Sequence, residues 1–134
     1  MRIAVCTGDI DERHHISRLL DETLPAKGLI PKISLFPLPE ELLESAVKQD
    51  RPFDVAILSG HKEDGILQQL CRLAPVILVG QRELAPVAFD VGAAYFIEAP
   101  VERHKLERAI AHYLQSRHDQ STAPRFASRF RQHY

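Results

Sequence analysis

The sequence predicts an α/β domain in which a parallel five-stranded sheet carries helices on both faces. Five short apolar runs alternate with five segments in which apolar residues recur at helical spacing. Strands that alternate with helices form parallel pairs, because each helix carries the chain back to the starting edge of the sheet. The length of 134 residues suits one domain of this kind.

The first predicted strand and helix lie at the start of the chain. Residues 3–6 form a β-branched run that ends at Thr7 and Gly8. Asp9 is a good N-cap, and Glu12 follows three residues later, as in a capping box. The buried stripe of this helix is predicted to contain Ile16, Leu19, Leu20 and Leu24.

The middle of the chain predicts two further strands, each followed by a helix. Residues 33–36 predict the second strand, and a helix follows the proline-rich turn at residues 37–39. Residues 53–58 form a nearly continuous apolar run, which is typical of a central strand buried on both faces. A polar loop over residues 59–65 then leads into the third helix.

The last two strands and helices complete the pattern. Residues 75–79 predict the fourth strand, and a short fourth helix is expected over about residues 83–91, with Gly92 ending it. Residues 94–98 predict the fifth strand, and the fifth helix is expected over residues 101–117. This (βα)5 order is typical of flavodoxin-like three-layer sandwiches with strand order 2-1-3-4-5.

The predicted domain therefore covers residues 1–117, and the composition changes after it. Residues 118–124 are polar without an apolar period, which favours a linker. The residues after them are basic and aromatic, with Phe126 and Phe130 four positions apart. Three interpretations stay open: an interdomain linker, a short amphipathic helix that docks on a neighbour through these phenylalanines, or a weak, salt-sensitive contact with nucleic acid.

Composition argues against several functional classes. The formal net charge of -1 gives no strong field toward nucleic acid or a membrane, so we expect no direct nucleic-acid contact from the domain. No apolar stretch approaches the roughly 18 residues that span a bilayer, and the first run is too short for a signal peptide. Cys6 and Cys71 lack metal-site spacing, and we interpret them as buried free thiols in a reducing cytoplasm.

Motifs for metals and cofactors are missing from the sequence as well. The seven histidines show no HExxH spacing, and we interpret them as solvated surface residues. The segment from Gly60 to Gly65 lacks the GK[ST] ending of a phosphate loop, and no GxGxxG follows the first strand. The sequence therefore predicts neither a bound metal nor a cofactor.

Three segments, at residues 1–6, 53–58 and 88–93, carry a resemblance to a known family. With Pro100, they make the chain similar to the receiver domain of two-component response regulators, especially receivers of LytTR-type transcription regulators. The third segment is the most specific, because its AFDVGA resembles the family's "AFEVGA…KP" stretch. The resemblance covers about residues 1–116 and implies a cis peptide bond before Pro100.

The resemblance also implies where a phosphorylation site would lie. Receivers use an aspartate as phosphoryl acceptor, further carboxylates to hold Mg²⁺, and a hydroxyl and a lysine to hold the phosphoryl oxygens. These groups come from the carboxyl ends of the strands, where open α/β sheets place their sites. In this sequence the acidic pair falls on Thr7 and Gly8, beside Asp9, and the phosphoryl acceptor falls on Ser59. The hydroxyl residue falls on Gly80, and the lysine falls on Ala99, directly before Pro100.

Nearly every chemical group of that site is thus replaced. A serine cannot form an acyl phosphate and needs a base to act as a nucleophile, so the sequence predicts a regulatory module that is not an enzyme. A shifted alignment, in which Asp9 with Asp11 or Asp64 rebuilds an acidic pocket, stays open. An enzyme that uses Ser59 is a weaker alternative, and a small-ligand sensor that uses the vacated pocket is the leading alternative.

The resemblance finally implies a partner surface. In the family, the fourth helix, fifth strand and fifth helix form homodimers, and here they carry a charge mixture suited to a two-fold interface. The predicted interface residues are Asp90, Phe96, Glu102, Arg103 and Arg108. LytTR-type regulators carry a DNA-binding domain after the receiver, so we expect either a stand-alone regulator or a piece of a longer one.

Overall fold

The computed structural model describes residues 1–48, 53–60 and 64–122. In these ranges the predicted fold is confirmed: five parallel strands lie in the order β2-β1-β3-β4-β5, with helices between them. The strands and helices in chain order are β1 (Arg2–Cys6), α1 (Ile10–Thr23), β2 (Lys32–Phe36), α2 (Pro39–Lys48), β3 (Val55–Ser59), α3 (Asp64–Leu73), β4 (Val76–Gly80), α4 (Ala85–Val91), β5 (Tyr95–Glu98) and α5 (Arg103–Thr122). Two short 3₁₀ turns, Pro25–Lys27 and Arg82–Leu84, precede β2 and α4.

The pairing of the strands brings their carboxyl ends to one edge of the sheet. β1 lies between β2 and β3, because Ile3 pairs with Ile33 of β2 on one side and with Val55 of β3 on the other. β4 continues the sheet from β3, and β5 forms its second edge. Since all strands run in the same direction, the residues that follow β1, β3, β4 and β5 lie close together.

Alternating residues of the strands feed two separate apolar layers. Val5 and Ile57 join the layer beneath α1 and α5, whereas Ala4 and Leu58 join the layer on the opposite face. This period of two is the geometry of any strand, and it explains why a central strand such as β3 is apolar throughout. The stripe predicted for α1 is buried in the first layer as expected.

Several element boundaries differ from the sequence prediction, among them those of β3, α4 and α5. Ser59 is the last residue of β3 rather than the first residue of a loop. The predicted fourth helix is divided, because the 3₁₀ turn Arg82–Leu84 precedes α4, which ends at Gly92 with a φ of 85° as predicted. α5 continues to Thr122, five residues past its predicted end, since neither glycine nor proline occurs before Pro124 to interrupt it.

The two thiols lie in different surroundings. Cys6 is fully buried, and its burial, with the nearby carboxylates of Glu40 and Glu41, raises the pKa of the thiol to about 12. Cys71 is only partly buried, and its burial raises the pKa of that thiol as well. Among the described residues neither thiol forms a disulfide bond, and Cys71 is less buried than expected. In the described part of the chain, no helix combines the length and apolar character needed to cross a membrane.

Candidate functional site at the carboxyl edge of the sheet

An open cleft of about 620 Å³ lies at the carboxyl edge of the sheet, and we call it the carboxyl-edge cleft. Its walls come from α1, from the ends of β3 and β4, from the 3₁₀ turn with α4, and from the loop after β5. The residues that line it are Glu12, Ser59, Gly60, Gly80, Gln81, Glu83, Leu84, Val87 and Ala99. Three of the predicted pocket positions, Ser59, Gly80 and Ala99, therefore come together.

Ser59 is the most deeply buried polar side chain of this lining, with 5% of its surface exposed. It follows Ile57 by two residues on β3, so strand alternation places its side chain on the α1 side of the sheet. Among the described residues, the Ser59 hydroxyl has no hydrogen-bond partner. A buried hydroxyl without a partner costs free energy, which makes Ser59 an unusual feature of this edge.

Thr7 and Asp9 are occupied by the start of α1. The Asp9 carboxylate caps the helix, since its Oδ1 atom accepts hydrogen bonds from the backbone N–H groups of Asp11 (2.9 Å) and Glu12 (3.2 Å). The buried Thr7 Oγ1 accepts from the Asp9 backbone N–H at 3.2 Å and donates to Glu12 Oε1 at 2.8 Å. Gly8, between them, is exposed.

This arrangement corrects the predicted capping box. In a capping box the Glu12 side chain would bond to the Asp9 N–H, but the Thr7 hydroxyl takes that N–H and holds the carboxylate instead. Glu12 thereby becomes part of the cleft wall, a role that the sequence analysis missed. Of the acidic residues in the shifted alignment, Asp9 is the cap and Asp11 is exposed.

Gly80 leaves no vacant space at the position that the sequence resemblance aligns with the hydroxyl residue of receivers. A Cβ atom on Gly80 would lie 2.5 Å from Leu84 Cδ2 and 3.3 Å from Leu84 Cβ. The 3₁₀ turn that carries Leu84 is closed by a hydrogen bond of 2.8 Å from the Leu84 N–H to the Gln81 carbonyl. Leu84 thus fills the room that a serine or threonine side chain would need.

We expect Gly80→Ser to lower the free energy of unfolding by about 1–3 kcal/mol, because the new side chain overpacks against Leu84. Urea unfolding measures the change. Gly8→Ser is the matched control, since a Cβ there meets its nearest neighbour, the Pro37 carbonyl oxygen, only at 3.8 Å. In a Leu84→Ala background the Gly80→Ser cost should shrink, and an equal cost in both backgrounds would contradict the explanation.

The loop after β5 closes the remaining side of the cleft. The Ala99–Pro100 peptide bond is cis, as the resemblance implies, and the Ala99 N–H donates to the Gly80 carbonyl at 2.8 Å. Lys105 of α5 donates from Nζ to the carbonyl oxygens of Glu98 (3.0 Å) and Pro100 (3.4 Å). Its ammonium group therefore holds the loop from outside and is not part of the cleft lining.

Two contacts tie α1 to the start of α5, and we call them the α1–α5 brace. His15 of α1 lies 2.8 Å from the Val101 carbonyl oxygen through Nε2, which carries the hydrogen because a carbonyl only accepts. Glu22 of α1 forms an ion pair with Arg103 of α5. The interpretation of the histidines as solvated is thus wrong for His15, which is half-buried and bonded.

Several solved structures are similar to this chain in fold. A response regulator receiver domain from Clostridium thermocellum is 20% identical, with a TM-score of 0.71 over 87% of this chain and 95% of its own. A receiver protein from Pseudoalteromonas atlantica is 22% identical, with a TM-score of 0.66 over 87% and 99%. A protein from Burkholderia pseudomallei whose name relates it to pilus assembly is 17% identical, with a TM-score of 0.71 over 86% and 90%.

The chain has the receiver fold. No family model and no curated protein matches the sequence. Among the residues with described positions, no three His, Cys, Asp or Glu side chains are placed to hold a metal ion.

The receiver fold places the predicted interface residues in unequal surroundings. Asp90 and Arg108 are exposed and have no ion-pair partner within the described ranges. Arg103 belongs to the α1–α5 brace, and Glu102 lies 3.9 Å from Lys105 Nζ and 3.6 Å from His104 Nε2. Phe96 is half-buried, since it packs against the apolar layer opposite α1.

Phe89 is an exposed aromatic residue of α4 that the sequence analysis missed. It is 86% exposed, the largest fraction among the exposed large apolar side chains of the described residues. Leu84, Ala88 and Val91 are buried at helical spacing, so their pattern already indicated that position 89 faces away from the core. Phe126 and Phe130, predicted to contact a neighbour, lie outside the described residues.

Proposed function

We propose that this chain is a receiver-like regulatory domain that accepts no phosphoryl group and acts by binding a second copy of itself. The observation that supports the proposal is a buried serine, Ser59, at the carboxyl end of β3, where the sequence resemblance aligns the family's phosphoryl acceptor. A serine hydroxyl cannot give the acyl phosphate on which receiver signalling depends. Such a domain regulates without catalysing a reaction.

The surroundings of Ser59 support the same conclusion. Magnesium prefers several oxygen ligands in octahedral geometry, and the acidic-pair positions hold Thr7, already bonded to Glu12, and Gly8. Gly80 has no hydroxyl and Ala99 no ammonium group to hold phosphoryl oxygens. The residues present therefore do not fit Mg²⁺.

The association face that we propose consists of Phe89 and Asp90 of α4 and Arg108 of α5. α4 and α5 both pack against the edge strand β5, so they present opposite charges on its two flanks. A two-fold axis at this face brings α4 of one copy toward α5 of the other. Asp90 and Arg108 then pair reciprocally, and Phe89 contributes apolar area at the centre.

The wider role follows from the fold and the sequence resemblance. We infer a cytoplasmic role in signal transduction, and the resemblance of residues 88–93 to LytTR-type receivers supports transcription regulation in particular. A DNA-binding domain after residue 134 would place the association face where it pairs two such domains. Dimerisation would then be constitutive or set by concentration, since no phosphoryl group switches it.

We expect Asp90→Arg and Arg108→Asp each to weaken self-association at least tenfold, because like charges then face each other across the two-fold axis. The double variant Asp90→Arg/Arg108→Asp should recover most of the loss. Sedimentation equilibrium measures the dissociation constants. Glu44→Arg, which changes an exposed charge on α2 by the same amount, is the control and should leave association unchanged.

Failure of the double variant to recover, or a monomeric wild-type chain at millimolar concentration, would contradict the association face. Incubation with acetyl phosphate and Mg²⁺ tests the other half of the proposal. Neither the mass of the chain nor its dissociation constant should change, and a phosphoryl adduct would refute it. Phe96→Asp is a poor variant for these tests, because half-buried Phe96 packs against the core and its replacement would also lower the stability of the fold.

A further inference from the structure

The carboxyl-edge cleft has the properties of a ligand site that self-association leaves unused. Its volume of about 620 Å³ lies within the range of small-molecule pockets, roughly 300–1,000 Å³. Ser59 lines it with a hydroxyl that is 95% buried and has no partner among the described residues. A buried polar group that lacks a partner is the kind of group that a ligand satisfies.

The charge of the lining selects a cation. Glu12 and Glu83 are acidic, and no Lys, Arg or His belongs to the described lining. An anion such as a carboxylate or phosphate would be repelled, whereas a cation would replace its lost water with carboxylate oxygens.

The same lining favours an organic cation over a metal ion. A metal needs several hard ligands at once, but Glu12 Oε1 already accepts from the Thr7 hydroxyl, and the described residues form no cluster of metal-binding side chains. The opposite wall is apolar, with Leu84, Val87 and Ala99. These side chains suit a hydrocarbon body and do nothing for a bare ion.

We propose that the carboxyl-edge cleft binds a primary amine on a short hydrocarbon body. The ammonium group donates hydrogen bonds to the Glu12 carboxylate and to the Ser59 hydroxyl oxygen, and the body lies against Leu84 and Val87. The inference does not depend on self-association, because none of these residues belongs to the association face. In this arrangement Ser59 serves as a hydrogen-bond acceptor for the ammonium group.

The test is a titration of the full chain by two-dimensional amide NMR with three probes of equal length: hexylamine, 1-hexanol and hexanoate. Hexylamine should give saturable shifts at Ser59, Gly60 and Gly80. 1-Hexanol should bind at least tenfold more weakly, because it lacks the charge, and hexanoate should not bind. Equal binding of hexylamine and 1-hexanol, or no saturable shift at these residues, would overturn the proposal.

Variants then locate the ammonium group. Glu12→Gln keeps an acceptor for the Thr7 hydroxyl but removes the charge, and it should weaken hexylamine binding at least tenfold. Ser59→Ala should weaken it several-fold, whereas Glu44→Gln, on α2 and outside the cleft, should have no effect. Thermal unfolding of each variant confirms that it is folded. Unchanged affinity in folded Glu12→Gln would place the cation elsewhere and refute the assignment.

Discussion

Ser59→Asp is expected to lower the free energy of unfolding by about 3 kcal/mol at pH 7 and still to accept no phosphoryl group. The substitution places an aspartate at the position that the sequence resemblance aligns with the phosphoryl acceptor of receivers. It places a carboxylate at a position that is 5% exposed, in a cleft that Glu12 also lines and to which no described cation contributes. The new charge therefore loses its water without gaining a partner.

The pH dependence identifies the cause of that loss. Burial raises the pKa of the introduced carboxyl above its unfolded value of about 4, so the folded state holds its proton to higher pH. The cost is then small below pH 4 and grows as the pH rises toward 7. Ser59→Asn introduces a side chain of the same shape as aspartate but without charge. It is the control, and urea unfolding of both variants is measured below pH 4 and at pH 7. Equal stability of the two variants at pH 7 would contradict the picture.

Leu106→Ala is expected to cost about 3 kcal/mol of unfolding free energy. Leu106 is completely buried on α5 in the apolar layer that α5 shares with α1, so truncation removes packed apolar area and leaves a cavity. Val47→Ala on α2 is the control, because Val47 is 67% exposed and should change stability by about 0.5 kcal/mol or less. A loss below 1 kcal/mol for Leu106→Ala would mean that the layer collapses around the site.

The fold could be predicted because the same signal, a regular spacing of apolar residues, recurs in successive strands and helices along the chain. Most strands and helices bury apolar residues at a regular spacing, and residues such as Ile57 and Leu20 are buried where that spacing places them. The boundaries that differed depend on single residues. α5 passes its predicted end because a polar composition alone does not stop a helix, whereas proline or glycine does.

The candidate site could be predicted only as far as strand order fixes it. Ser59, Gly80 and Ala99 line one cleft because parallel strands end at one edge. Leu84 occupies the space beside Gly80 through a packing contact, and no local sequence pattern predicts that contact. The orientation of the Glu12 side chain depends on which side chain, that of Thr7 or that of Glu12, accepts the hydrogen bond from the Asp9 backbone N–H. The sequence is compatible with either acceptor.

The α1–α5 brace has a consequence for communication across the molecule. α1 carries Glu12 at one end, and α5 carries Arg108, so the His15 and Glu22 contacts connect the helix of the proposed amine site to a helix of the proposed association face. Under the two proposals, an amine that displaces α1 on binding would alter the dissociation constant of the proposed dimer. Thermodynamic reciprocity then requires self-association to alter the affinity for the amine by the same factor.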